Sequence, residues 1–559
     1  FTLTSFKKVS YHAINSQKCI LVEQSLQRSA MKIGYVSDER FVAISGVAIE
    51  FESKDGLRSV EARSRASGSI HADLEHGEYV VTLQKPGFGS KRVHLNITDS
   101  FEPHQFRLLS DSLLGYAWPK WVKAGEQSEF RVHAVEMYHL ELYRYGLKKE
   151  LVKSLGWYDE HGPRATMQIT PDGDYTQTGV DFNRQGYTNP HHKQFVTAPD
   201  RSGLYYFHAR TNSGATFSFP WVVAPAEPTS KIAILASNIT WNAYNAFGGR
   251  SNYINPERLP AKPVVNSRQE LERYTDPDNL NYGVWDYAPL SFDRPEWISQ
   301  IPLTEQANDP IEGRASCHLA GAEWRLLAWM ERQAFEYDYW AETQLHSGAL
   351  DLSQYKILVI STHPEYWSKE MFQTVYDWVF QNGGRLIYLG GNGLNCEVEF
   401  LDPFTMTVRN GDDREMRRRG LESRFHFTGV SEASLLGVVY DDRGIMTSTP
   451  YEVLQSGHWI YQGTGLKNGD LFGAESLHRR CPGGASGHET DKISASSPTG
   501  VQALARGLNK DQGGAEIVTF ETESGGRVFS AGSITWPSSV LVSGAVSKIT
   551  ENVIREFLK

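Results

Sequence analysis

Across residues 31–112 apolar and polar positions alternate with a period of two. Val47, Ile49 and Phe51 form one such run, Tyr79, Val81 and Leu83 a second, and Val93, Leu95 and Ile97 a third, with turn signals at Asp55-Gly56, Gly68 and Pro86-Gly87 between them. The spacing predicts a small antiparallel β-sandwich over 31–112. A second β region follows over 113–228, where Phe130, Val132 and Ala134 alternate early and apolar runs recur at 204–207 and 217–223. Its middle, 159–193, is polar and rich in Gly, Asp and Asn, which predicts a large loop. The Pro-containing stretch 224–230 reads as the main domain boundary.

After Lys231 the period changes. Short continuous apolar runs at 232–236, 357–361 and 385–389 alternate with helical patterns at 323–333, where Trp324, Leu327 and Met330 share a stripe, and at 369–381. Ser368 is placed to cap the second helix and Gly383-Gly384 to stop it. Residues 229–559 therefore read as an α/β domain with a mostly parallel sheet, preceded by all-β sandwich domains. Such sheets carry their chemistry on loops after the C-terminal ends of strands. No solenoid or propeller repeat and no low-complexity tract is present. Residues 1–30 precede the first folded pattern, at Met31, and read as a leader or a non-native extension.

Composition narrows the classes of function. Fifty-six Lys and Arg against 66 Asp and Glu give a net charge of −10, which argues against nucleic-acid binding. The densest basic run, Arg414 with Arg417, Arg418 and Arg419, reads as a solvated helix face. Cys19, Cys317, Cys396 and Cys481 lie far apart and form no CxxC pair, so neither a disulfide framework nor a zinc knuckle is indicated. A reducing, cytoplasmic setting is the expectation. No stretch approaches the roughly 18 apolar residues of a membrane span.

Three loops follow expected strand ends: 237–253 with Trp241, Tyr244 and Phe247, the HPEYW at 363–367, and Gly391-Asn392-Gly393. A fourth candidate is the Gly-rich GGASGHETD at 483–491, which leads to His488, Glu489 and Asp491. Each has a plainer reading, since a loop tyrosine can simply pack and His-Pro-Glu can cap the next helix. His191-His192 and Cys317-His318 read as structural, because adjacent residues rarely chelate one ion. There is no nucleophile elbow, no GxGxxG after a strand and no Walker loop, which removes hydrolase-elbow and nucleotide chemistry. The oxygen-rich set of Tyr, Glu, His and Asn that remains suits a hard Lewis-acidic metal.

The ordered set WNAYN at 241–245, NYGVWDY at 281–287, HPEYW, GGNG at 390–393, GGASGHETD and GGRVFSAGSITW at 525–536 resembles the large subunit of bacterial N,N-dimethylformamidase over about 230–559. The segment at 68–88 also resembles transthyretin-like modules. The first resemblance implies a class I glutamine amidotransferase-like fold without its cysteine nucleophile. It also implies hydrolysis of small N-substituted amides at a mononuclear ferric centre, Fe(III), held by two tyrosinates and a glutamate. Residue by residue it nominates Tyr244, Tyr287 and Glu365 as metal ligands, with Tyr282 as the alternative to Tyr287. His363 and Asn392 correspond to polar residues lining the pocket, and Glu489 to a proton-transfer carboxylate. Partners implied are a small amide substrate, an oligomer and, left open, a small accessory subunit.

Two phenolates and one carboxylate sum to −3 against Fe³⁺, which makes a buried site formally neutral. Free tyrosine has a pKa near 10, so only a strongly polarising ion keeps two phenols deprotonated at neutral pH. The competing reading is a binding or scaffold protein in which the β modules recognise a partner and the last domain is degenerate.

Overall fold

A computed structural model of the chain describes residues 30–38, 41–108, 113–134, 136–158, 194–245, 247, 251–252, 261–263, 265, 289–310, 314–409, 411 and 413–559. The alternating runs at the N-terminus form strands. Ala48–Ser53 pairs antiparallel with both Ser59–Arg63 and Gly77–Gln84, and the latter pairs with Lys91–Ile97. Ile49, Phe51, Val81, Leu83, Leu95 and Ile97 all point inward, as their period of two requires. They meet Ile33, Val36, Ile70 and Phe106 from the sheet of Ser69–Ala72, Met31–Ser37 and His104–Arg107, which closes one apolar cluster.

The second β region also uses two sheets. Lys149–Tyr158, Tyr138–Tyr145, Gly203–Thr211, Thr216–Ala224 and Trp121–Lys123 make the larger one, and Phe195–Thr197, Gln127–His133 and Leu114–Trp118 the smaller. Phe130, Phe207, Phe219 and Trp221 fill the space between them. Thr216–Ala224 is buried along almost its whole length instead of on alternate residues. The reason is that its other face packs too: Tyr145, Leu204, Tyr206 and Val222 belong to the apolar core of the following region. The Pro-containing stretch is tied down as well, since Asp338 accepts from the Thr229 amide at 2.8 Å.

That following region is built on a nine-stranded sheet. Its strands, numbered in chain order within the sheet, are β1 (Ile232–Ala236), β2 (Asp338–Ala341), β3 (Ile357–Thr362), β4 (Arg385–Gly390), β5 (Tyr451–Val453), β6 (Leu471–Phe472), β7 (Ala505–Gly507), β8 (Glu516–Glu521) and β9 (Arg527–Ser530). They lie in the order β2-β1-β3-β4-β9-β8-β7-β5-β6. The first five in that order are parallel. The remaining four pairings are antiparallel. Helices α1 (Asn238–Tyr244), α2 (Ala320–Arg332), α3 (Lys369–Phe380) and α4 (Gly544–Leu558) flank it. Ser368 caps α3 by accepting from the Met371 amide, as its position in the sequence predicts.

The expected α/β class with a mostly parallel, amidotransferase-like sheet is therefore corrected. Half of the pairings in the central sheet are antiparallel, and among the described residues strand outweighs helix by 37% to 19%. The physical reason lies in the strands that pattern reading could not see. β5, β6 and β7 are two or three residues long, too short for a period to register, and the stretches between them carry a one-turn helix and brief strands instead of α-helical crossovers.

A buried ion pair joins the second β region to the segment before α2. Lys120 Nζ lies 2.9 Å from Glu296 Oε2, with both side chains under 8% exposed. Lys120→Met leaves that carboxylate uncompensated, so a loss of about 3–5 kcal/mol is expected. Most of it should return in Lys120→Met/Glu296→Leu, measured as the thermal midpoint of each variant.

Candidate functional site

Because β1, β3 and β4 are parallel neighbours, the loops that follow them leave the sheet at one edge. After β1 the chain enters α1, whose last residue is Tyr244. After β3 come His363, Pro364 and Glu365, and after β4 comes the glycine-flanked Asn392. Gly391 must be glycine, because a Cβ there would stand 2.4 Å from the Glu489 carbonyl oxygen. That close approach lets the 483–491 segment lie against the edge, where Ile534 N donates to Glu489 O and Asp491 N to Gly532 O.

The side chains converge. Tyr244 donates its hydroxyl to Glu365 Oε2 at 2.8 Å. His363 Nε2 is 3.3 Å from Glu365 Oε2 and 3.1 Å from Glu489 Oε2. These distances suit charge pairing, although neither oxygen lies along a ring N–H direction, and Nδ1 of the same ring has no partner. Asn392 Nδ2 donates to Glu489 Oε2 at 2.9 Å, while its Oδ1 has no partner. Tyr244, His363, Glu365 and Asn392 are all buried.

Electrostatics follow from that burial. Desolvation raises Glu365 above the ordinary carboxylate range, although His363 beside it pulls the other way. Burial acts on Glu489 too, but there His363, His488 and the Asn392 amide win and hold the carboxyl low. For His363, desolvation is outweighed by Glu489 and Glu365, so the ring is raised and carries positive charge more readily. Asp491 is pushed up to about 7 by burial, against hydrogen bonds from Tyr388 and the Asn392 amide.

Four of the residues nominated from sequence (Tyr244, Glu365, His363 and Asn392) thus meet at one place together with the fifth, Glu489. Tyr287 and its alternative Tyr282 lie outside the described residues. Among the described residues no group of three His, Cys, Asp or Glu side chains could hold a metal ion. A metal here would therefore depend on phenolic oxygen, and Tyr244 with Glu365 supplies two buried hard oxygen donors close together. Those donors fit a ferric ion.

Sequence reasoning missed several neighbours. The ring of His318, read as structural, lies 5.0 Å from that of Tyr244 and 5.3 Å from those of His363 and His488. His478 Nδ1 accepts from the Cys481 amide, and its Nε2 meets His488 Nδ1 at 2.9 Å. Tyr440 pairs across strands with Asp491, and its phenol is raised well above 10 by burial and then by Glu489. His478 and Tyr440 carry no sequence signal, since each is a single residue in an unremarkable run.

The family model for N,N-dimethylformamidase beta subunit-like proteins, C-terminal region, matches residues 150–547. The chain belongs to this family. The match starts within the second β region, upstream of where the motifs alone suggested. N,N-dimethylformamidase beta subunits from Paracoccus aminophilus and an Alcaligenes species are 25% identical over 426 residues and 26% identical over 466. These alignments take in 65% and 66% of this chain but 54% and 58% of the relatives, so the chain spans little more than half their length. Among solved structures, a beta-galactosidase from Rahnella sp. R3 aligns with 44% of this chain and 29% of its own at 12% identity and a TM-score of 0.27. A likeness at that level carries no argument about fold or function. Among the described residues of this family member, no helix is long and apolar enough to cross a membrane.

The site rests on buried carboxyls behind it. Glu323 accepts from Trp241 Nε1 at 2.9 Å, from Ser237 N at 3.2 Å and from Tyr339 OH at 2.7 Å, which fixes the start of α1. Burial pushes Glu323 up to about 7 despite these bonds. A carboxyl raised in the folded state holds its proton more tightly there. Its contribution favours folding below the unfolded pKa near 4.3 and is lost as pH climbs through about 7. Glu323→Gln keeps an acceptor for Trp241, so it should stabilise the protein relative to wild type more at pH 8 than at pH 5.5. Thermal midpoints at the two pH values check this.

Proposed function

We propose that this chain hydrolyses small N-substituted amides, of the dimethylformamide kind, to carboxylate and amine in an iron-dependent reaction. The observation that carries the reading is the meeting of Tyr244 and Glu365, from different strand-end loops, beside the His363–Glu489 pair. Tyr244, Glu365 and, outside the described residues, Tyr287 would hold a ferric ion. Such an ion, when bound, supplies Lewis acidity that polarises an amide carbonyl and acidifies a water.

The chain's own groups divide the remaining work. Glu489, kept ionised by His363, His488 and Asn392, is the group ready to take a proton from water and return it to the departing amine. That return is required, because an amine leaves a tetrahedral intermediate only once protonated. His363 lies against both carboxylates and presents a positive edge where negative charge develops on oxygen. Asn392 orients Glu489 through Nδ2 and leaves Oδ1 free to accept from a water. Because the relatives are named as beta subunits, we include assembly with other subunits in the proposal.

The test is iron content and visible absorption beside turnover of N,N-dimethylformamide. Wild type should bind one iron per chain and show a tyrosinate charge-transfer band that Tyr244→Phe loses. Glu489→Gln should keep iron and band while turnover falls at least a thousandfold, in line with loss of general acid–base catalysis at two proton transfers. A colourless chain that iron does not reconstitute would return the scaffold reading to the front.

A further inference from the structure

Asn392 is gripped from two sides by residues two apart in the chain. Glu489 takes its side-chain Nδ2, and Asp491 Oδ1 accepts from its backbone N at 2.7 Å. The other Asp491 oxygen accepts from Tyr388 OH at 2.6 Å. That phenol oxygen in turn accepts from Gly393 N at 2.8 Å. The amides of two consecutive residues therefore end on one carboxylate, one directly and one through a phenol.

Three features show that this grip is specific to the turn. Asp491 and Tyr388 are almost wholly buried, at 1% and 0% exposure, so neither serves solvation. Asn392 holds a left-handed backbone, φ 50°, which an L side chain keeps only under constraint. Gly393 has no room for a Cβ, which would stand 2.6 Å from the Tyr388 hydroxyl, so the phenol is packed directly on the turn. The carboxylate and phenol thus replace the ladder partners that the two amides lose where β4 ends.

We propose that Asp491, acting in part through Tyr388, is a positioning residue that sets the Asn392 side chain and through it the Glu489 carboxylate. The proposal rests on the amide-hydrolase reading for its catalytic consequence but not for its structural one. Removing the grip frees the 391–393 turn to relax from left-handed backbone. Asn392 Nδ2 then leaves Glu489, which loses the donor that aims it. The effect should fall mainly on turnover, because Asp491 and Tyr388 are almost wholly buried and act on the site through Asn392.

The experiment compares iron-loaded wild type with Asp491→Asn, Tyr388→Phe, Asn392→Gly and the two doubles that contain Asn392→Gly, on N,N-dimethylformamide with amine release as readout. Asp491→Asn and Tyr388→Phe should each lower kcat at least tenfold, with KM and iron content within twofold of wild type. In the Asn392→Gly background the same substitutions should cost less than twofold, because the side chain through which they act is gone. Equal losses in both backgrounds would overturn the proposal.

Hydrogen exchange supplies a readout that does not depend on turnover. The 390–393 amides should exchange at least tenfold faster in both variants, while those of 357–361 and 385–389 keep wild-type protection. Unchanged exchange at 390–393 would overturn the proposal whatever the kinetics show. If wild type hydrolyses no amide, the hydrolase reading falls and exchange alone decides the clamp. Should Asp491→Asn fail to fold, Tyr388→Phe carries both measurements.

Discussion

Negative charge buried beneath one sheet edge is the constraint on which the site depends. Glu365, Glu489 and Asp491 lie within a few residues' reach of one another, and His363 is the imidazole set against the first two. Each carboxylate taken out of water costs several kcal/mol unless it is paired or hydrogen-bonded. The observed compensation is uneven: Glu489 is well supplied with donors and positive charge, whereas Glu365 receives one phenol hydrogen bond and shares His363. The imbalance gives the two neighbouring carboxyls different proton affinities, Glu365 holding its proton more readily than Glu489.

How those groups reach one point was partly legible in the sequence. The apolar runs that became β1, β3 and β4 were visible because strands buried on both faces read as continuous hydrophobic stretches. Once they are parallel neighbours, Tyr244, Glu365 and Asn392 must emerge on the same side, so the gathering of loops followed from period alone. The fold class did not, because β5, β6 and β7 in the second half of the central sheet are too short to show a period. Their antiparallel pairing is set by contacts distant in sequence. Glu489 was marked by its Gly-rich approach, but its role came only through the order of motifs. His318 was visible only as half of a pair read as structural, and Tyr388 and Tyr440 were not reachable at all, since a single buried polar residue reveals its partners only in three dimensions.

The chain also holds the two facing loops from behind with matched anchors. Glu323 binds the Trp241 indole one turn before Tyr244, and Glu342 binds the Trp367 indole at 2.8 Å, two residues after Glu365. Both carboxyls are raised by burial, Glu342 well above the ordinary range. Each indole N–H thus finds a buried acceptor, and each large ring fixes the direction of its segment. The tryptophans in WNAYN and HPEYW thereby act as rigid spacers between a deep anchor and a candidate ligand.

Backbone strain is concentrated in the same place. Of the nine non-glycine residues with left-handed backbone among the described residues, Thr362, Asn392, Leu394 and His488 lie on the loops that form the site. Thr362 is the telling case, because a β-branched side chain tolerates φ 66° poorly and its hydroxyl has no partner. The residue ends β3 with its carbonyl taking the Gly391 amide at 3.3 Å, so the bend is locked to the neighbouring loop. Strain of this kind costs of order 1–3 kcal/mol per residue and persists only where the surroundings over-determine it. Here β3, buried throughout, and β4, buried beyond Arg385, supply that determination, so the stability of the parallel half of the sheet is what keeps the imidazole between its two carboxylates.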